Sequence, residues 1–250
     1  RSLPFLTSLQ QTFVKVRPRT LDPAEPEARR LLGVVGATTV PVYIFGEDIE
    51  QYPLFAQLSQ TVEKKGSYYV VHPMFAGACA FLDRPYVSGR LDVFFDLTYP
   101  RLAELARRLK ELRERDRDID VRLHFLAAVE PAGGFVARGG DETVEEFRRL
   151  ACIDASDPQK VFDYLACRTD AAAPGEAQAC ARAAGLDVDR LSRCATGREG
   201  EDALRANIAL TDELNIGFGP TLVVGNRDVY AVAEVPSLEE LESIVKADEK

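Results

Sequence analysis

Four cysteines, Cys152, Cys167, Cys180 and Cys194, follow one another at spacings of 15, 13 and 14 residues, each inside a short run with helical periodicity. An even number of clustered cysteines in such a context reads as two disulfides, with three pairings open. The helices here (EEFRRLACI, PQKVFDYLAC, EAQACARAAG, DVDRLSRCA) are short and small in apolar volume. A subdomain built from them has a weak core of its own, so cross-links help to hold it. Persistent disulfides belong to an oxidising compartment, so the expected location is extracytoplasmic: periplasmic, cell-surface or secreted. A zinc site is the rival reading, but the spacings are far from the short CxxC-type pairs that zinc sites use. Cys79, in AGACAFL, is the fifth cysteine and reads most simply as a small buried apolar residue, with an intermolecular bridge as the lesser alternative.

The segments around the cysteines define the fold class. LDVFFDL reads as a strand buried on both faces. PRLAELARRLKELRERD places Leu102, Leu105, Ala106, Leu109 and Leu112 on one helical face. IDVRLHFLAAVE is a second strand, and PAGGFVARGGDE a glycine-rich loop. The cysteine-bearing helices fill about 142–197, and a long helix spans about Gly200 to Asn215. GFGPTLVVGNRDVYAVAE gives two strands joined at Gly225-Asn226, and PSLEELESIVKADEK a closing amphipathic helix. The order β–α–β, helical insertion, α, β–β, α predicts a mixed, largely parallel α/β sheet covered on both faces.

Upstream, LPFLTSLQQTF reads as a helix, FVKVRPRTLD as a strand that ends at Pro18 or soon after, and DPAEPEARRLLGVVG as a short helix. TTVPVYIFG reads as a strand, Tyr52 to Lys64 as helix-like, SYYVVHP as a strand and MFAGACAFL as a short apolar helix. The proline-led strands TTVPVYIFG and GFGPTLVVG, about 180 residues apart, suggest a tandem repeat.

GPTLVVGN, after a helix and before a hairpin, resembles the cis-proline strand of the thioredoxin superfamily. Pro220 is then the cis-proline candidate and Pro41, in TVPVYIF, its counterpart. A longer stretch, CATGREGEDALRANIALTDELNIGFGPTLVVGN, resembles gamma-interferon-inducible lysosomal thiol reductase and related DsbA-like proteins. Cys194, Gly197, Gly200, Leu204, Asn207, Thr211, Leu214 and the proline strand carry that resemblance, which covers about 90–250. Together with the repeated proline-led strand, it leads to two tandem thioredoxin-like domains. One spans 1–88 and lacks its first strand; the other spans 90–250, with a disulfide-stapled insertion at about 142–197. In catalytic members a CxxC opens the first helix, where the helix dipole lowers a thiol pKa. Here FFDLTYPRLAEL puts Thr98, Tyr99, Pro100 and Arg101 in that place, and neither serine nor threonine can exchange disulfides. The degenerate motif and Gly219-Pro220 are therefore the candidate binding surface, with Tyr99 at its centre. The plainer reading is that Tyr99 covers the helix end.

The chain of 250 residues has a formal net charge of −9, which excludes the electrostatic footprint of a non-specific nucleic-acid binder. No apolar run approaches the ~20 residues of a membrane span. His72 and His124 lie in expected strands without partners at metal-ligand spacing, and VARGGDE lacks the phosphate-loop pattern. No cofactor and no metal is expected. The sequence starts at Arg1 rather than Met, which leaves room upstream for a signal peptide, an anchor or a CxxC. Two functions follow as expectations. The first is a non-catalytic binding or scaffold protein, an accessory subunit of an extracytoplasmic assembly that meets a protein partner or a second copy of itself. The second is a thiol–disulfide oxidoreductase or isomerase whose CxxC lies upstream of Arg1.

Overall fold

The computed structural model describes residues 17–71, 78–170 and 175–246. Its elements, in chain order, begin with α1 (Pro26–Val35), β1 (Thr39–Val40), β2 (Ile44–Gly46), a 3-10 turn (Glu47–Gln51), α2 (Phe55–Leu58), β3 (Val62–Lys65), β4 (Tyr68–Val71) and β5 (Ala78–Phe81). They continue with β6 (Arg90–Phe95), α3 (Leu102–Arg115), β7 (Asp120–Phe125), β8 (Ala127–Val129) and β9 (Phe135–Ala137). Next come α4 (Asp141–Ser156), α5 (Val161–Arg168), α6 (Ala177–Ala183), α7 (Val188–Thr196) and α8 (Arg198–Leu214). β10 (Thr221–Val224), β11 (Asp228–Ala231) and α9 (Leu238–Val245) are the last among the described residues. Two units result. The first holds the described residues as far as Tyr86 together with Arg227–Ala231; the second holds Val87–Asn226 and the described residues from Val232 onward.

The second unit is built on β6. Five of its six residues are buried, as a strand covered on both faces requires. β7 runs parallel to it, with Phe94 opposite His124, and β10 pairs antiparallel on its other side, with Thr221 opposite Phe94. α3 supplies the crossover from β6 to β7. Its stripe of Leu102, Leu105, Ala106, Leu109 and Leu112 is buried, each leucine contributing about 2 kcal/mol by removal from water. Behind the sheet, the ring of Phe125 stacks on Phe147 of α4 at 5.0 Å and meets Phe95 edge-on at 5.6 Å. α9 closes the unit through a capping box, in which the Ser237 side chain accepts from Glu240 N and the Glu240 side chain from Ser237 N.

The insertion is four helices, α4 to α7, and its cysteines pair as Cys152–Cys194 (Cα–Cα 6.2 Å) and Cys167–Cys180 (5.6 Å). The first cross-link joins α4 to α7, the second α5 to α6. Between the short helices the chain comes tightly past the second cross-link: a Cβ on Gly175 would stand 2.4 Å from Cys180 Sγ and 2.8 Å from Cys167 Sγ.

In the first unit, β1 pairs with β5 and β5 with β11, while β2, β4 and β3 form a meander, all antiparallel. A small cluster of Ile49, Leu58 and Tyr69 packs with Phe45, Tyr52, Phe55 and Val62. Several local expectations fail here. The helix expected from Tyr52 to Lys64 is a single turn, Phe55–Leu58, followed by β3. Gly66 at φ 59 turns the chain back, so β-branched Thr61 and Val62 lead a hairpin strand instead. MFAGACAFL gives a strand at Ala78–Phe81; a short apolar run does not distinguish helix from strand, and pairing with β1 and β11 decides it. TTVPVYIFG is broken at Pro41 into two strands. The helix expected at LPFLTSLQQTF lies outside the described residues, as does most of the strand expected at FVKVRPRTLD. In the second unit, IDVRLHFLAAVE divides at Leu126, whose N–H is taken by Phe95 O at 3.0 Å, and the glycine-rich loop contains β9, paired with β8.

Asp154, near the end of α4, is pushed up from its ordinary value by burial. Its position in the last turn, against the negative end of the helix dipole, acts in the same direction. A carboxyl with a raised folded-state value binds more protons folded than unfolded. Stability therefore falls as pH rises from the ordinary aspartate value of 3.8 through the raised one, and stays lower above it. Asp154→Asn is expected to raise the midpoint of urea unfolding at pH 7 and to leave it unchanged well below pH 3.8. Equal effects at both pH values would contradict this assignment.

Candidate functional site

The site forms where β6 ends. Asp96, 7% exposed, accepts the Thr98 N–H at 2.7 Å and also the Thr98 hydroxyl. This Asx turn fixes the 97–101 segment. Tyr99 O then accepts Leu102 N at 3.1 Å, opening α3. Arg101, just before the helix, donates to Glu104 from Nε and Nη2 at 2.9 Å each, and to Glu234 from Nη1. Its hydrogen bonds to Glu104 raise the guanidinium above, and lower the Glu104 carboxyl below, their ordinary values. Tyr99 is half-buried, and its hydroxyl has no hydrogen-bond partner among the described residues. Burial pushes its phenol up.

Gly219 sits against the same strand end. A Cβ there would stand 2.8 Å from Phe94 O, 2.8 Å from Phe95 Cα and 2.9 Å from Leu126 Cδ1, so only glycine lets the chain pass. The Gly219–Pro220 peptide is cis, as is Val40–Pro41 in the first unit. Thr221 Oγ1 donates to Phe218 O at 2.9 Å, and Val232 N to Pro220 O at 2.9 Å, which tie the segment down. Thr98–Arg101 and Gly219–Pro220 are thus both anchored at the carboxyl end of β6.

Beside the turn is an open cleft of about 380 Å³, lined by Leu97–Pro100, Gly139, Thr143, Glu146 and Arg168 among others. The Glu146 side chain is 4% exposed and fully engaged: Arg168 reaches it at 3.0 and 2.9 Å, and Arg149 at 2.9 Å. The cleft lining therefore includes a buried carboxylate held between two guanidiniums. Breaking these ion pairs would cost far more than their net contribution to stability, because a buried charge would be left alone.

The cysteines take no part in this geometry. Cys152, Cys167, Cys180 and Cys194 are in the insertion cross-links, and none lines the cleft. Cys79 is partly exposed; burial is the leading cause of its raised thiol value, which disfavours the reactive thiolate. Among the described residues no cluster of three or more His, Cys, Asp or Glu could hold a metal ion. The arrangement offers polar and aromatic recognition and no sulfur nucleophile. Asp96 is the residue that sequence reading missed. An Asp two positions before a Thr at a strand end is an Asx-turn signal, and it was available in FFDLT.

The fold, a βαβ entry, a cysteine-bearing helical insertion and a glycine–proline strand against the first strand's end, is that of a DsbA-like thioredoxin domain. The oxidoreductase NmDsbA1 from N. meningitidis is similar over 69% of this chain and 92% of its own, with a TM-score of 0.51 and 15% identity. DsbA from Xylella fastidiosa (18% identity, 69% and 95% covered, TM-score 0.46) and Proteus mirabilis ScsC in a compact conformation (16%, 64% and 82%, 0.44) are also similar. At these identities the likeness is one of fold. No family model and no curated protein matches the sequence.

Proposed function

We propose that this chain is a non-catalytic thioredoxin-fold binding or scaffold protein, an accessory subunit of an extracytoplasmic assembly. The observation that carries the proposal is the turn at the start of α3. Thr98 is bound to Asp96 and Arg101 to Glu104 and Glu234, in the place where the fold's redox members need a thiolate. Its surface would accept a protein segment through Tyr99, Gly219 and the adjoining cleft. Two disulfides support the oxidising location. Among the described residues no helix is long and apolar enough to cross a membrane.

The proposal takes residues 90–250 as one thioredoxin-like domain and 1–88 as another. The repeated proline-led strand supports the second assignment, and the all-antiparallel pairing in the first unit weighs against it. An oxidoreductase or isomerase with its CxxC upstream of Arg1 is the competing reading, favoured by the likeness in fold to the oxidoreductase NmDsbA1.

A disulfide-exchange assay separates the readings. Insulin reduction by dithiothreitol is expected to run at its uncatalysed rate with this 250-residue chain, and with Cys79→Ser alike. Turnover above that background would overturn the non-catalytic reading for these residues. The longest natural form of the chain, tested in parallel, decides the upstream alternative.

A further inference from the structure

His124 is buried in the second unit with its ring stacked on Phe94 at 4.7 Å. Its Nε2 lies 2.8 Å from Asp92 Oδ1, and its Nδ1 3.3 Å from the backbone carbonyl of Asn207 on α8. Asp92 is fully buried and is also held by Arg90, from Nε at 2.6 Å and Nη2 at 3.0 Å. Burial pushes the Asp92 carboxyl up, but the bonds from His124 and Arg90 outweigh it, so its value is lowered and it stays ionised. Both ring nitrogens therefore face groups that can only accept: a carboxylate and a carbonyl oxygen. Neither neutral tautomer satisfies both contacts. One sets a lone pair against the carboxylate, the other against the carbonyl.

From this geometry we infer that His124 is held as an imidazolium, and that its two N–H groups form a proton-dependent clamp fastening α8 to the β6–β7 sheet. The charged and polar groups around it come from its own strand and three other elements. On β7, Arg122 is in register with Asp92 and ion-paired to Asp120. β6 supplies Asp92 and Arg90, α8 the Asn207 carbonyl, and α4 the carboxyl of Asp154, which also acts on the ring electrostatically. The clamp matters to the surface described above because β6 runs into the Asp96 turn and α8 into the segment ending at Gly219. Loss of the ring proton would release the Nδ1 bond and leave α8 held at this level by the Asn207 side chain, which bonds Phe125 N at 2.8 Å and Leu123 O at 2.6 Å. The inference is independent of whether that surface binds or catalyses.

The chain has two histidines, His72 and His124, which makes the test direct. Long-range ¹H–¹⁵N spectra of the uniformly labelled chain at pH 7 read the protonation of each ring nitrogen, and His72→Gln assigns the pair. The expected result is one ring, that of His124, with both nitrogens at protonated shifts. When pH is raised until that ring titrates, the Asn207 side-chain amide signals should shift at the same pH. Two neutral rings at pH 7 in the wild-type chain would overturn the inference, and this reading needs no variant to fold. Asn207 signals that stay still through the titration of His124 would overturn the coupling to α8.

Discussion

Removing the Cys152–Cys194 cross-link, by the double variant Cys152→Ala/Cys194→Ala, is expected to lower the unfolding free energy by about 4 kcal/mol at 25 °C. The two cysteines are 42 residues apart, and the loop their bond closes includes α5 and α6. Closing a loop of that size takes much of the freedom out of the unfolded chain. The Cys167–Cys180 bond spans 13 residues and closes a smaller loop, so its double variant is expected to cost about 3 kcal/mol. The first pair also carries more of the local core, since Cys152, Cys194 and Ala195 are buried together with Leu191 against them. Chemical denaturation of the three proteins, followed by helical signal, measures the difference. A loss below about 1 kcal/mol for the Cys152/Cys194 variant would show that α4 and α7 hold together without the bond. Single substitutions add a check on the pairing: Cys152→Ala should free one thiol, on Cys194.

Gly219→Ala is expected to destabilise the second unit by about 3 kcal/mol, the upper end of the usual cost of overpacking. The methyl would meet two backbone atoms of β6, Phe94 O and Phe95 Cα, each at 2.8 Å. Backbone in a central strand does not move aside as a side-chain tip does. The segment ending at Pro220 must then lift off the strand end, and with it Gly219 leaves its place beside the 97–101 turn. The proposed surface should lose its partner even under conditions where the variant is mostly folded. Gly217, where a Cβ would meet nothing within 4 Å, is the matched control. Gly217→Ala should leave unfolding within about 0.5 kcal/mol of wild type. Equal unfolding midpoints for Gly219→Ala and wild type would refute the close approach.

Much of the second unit was legible because its signals are long and agree with one another. The LDVFFDL run, the leucine stripe of α3 and the capped amphipathic segment of α9 each point to one local structure, and tertiary contacts reinforce them. The first unit was less legible because its elements are two to five residues long apart from α1. In strands of that size pairing decides the conformation, and pairing is invisible to a local window. That is why Tyr52–Lys64 read as a helix although Gly66 turns its second half into a hairpin strand. In the candidate site, the glycine–proline strand and the cysteine-free turn were readable as residues. Most of their anchoring was not. The Asx turn of Asp96 and Thr98 carries a local signal, but Glu234 on Arg101 and the contact of Gly219 with Phe94 join positions far apart in the chain. The pairing of the four cysteines was equally beyond a count of spacings, since α4 and α7 meet only through the packing of the whole insertion.

Among the described residues β7 ends the row of strands in its unit, and an end strand is a ready template on which another chain can lay its own backbone. Asn207 occupies that template. Its amide takes the N–H of Phe125 and gives a hydrogen to the carbonyl of Leu123, as a neighbouring strand would, and the Thr211 hydroxyl donates to Phe125 O beside it at 3.4 Å. A single side chain on a helix thus stands in for a missing strand. The consequence is an assembly rule. Growth of this sheet by strand addition is blocked over residues 123–125, so a protein that joins the second unit there must recognise side chains and not bare backbone.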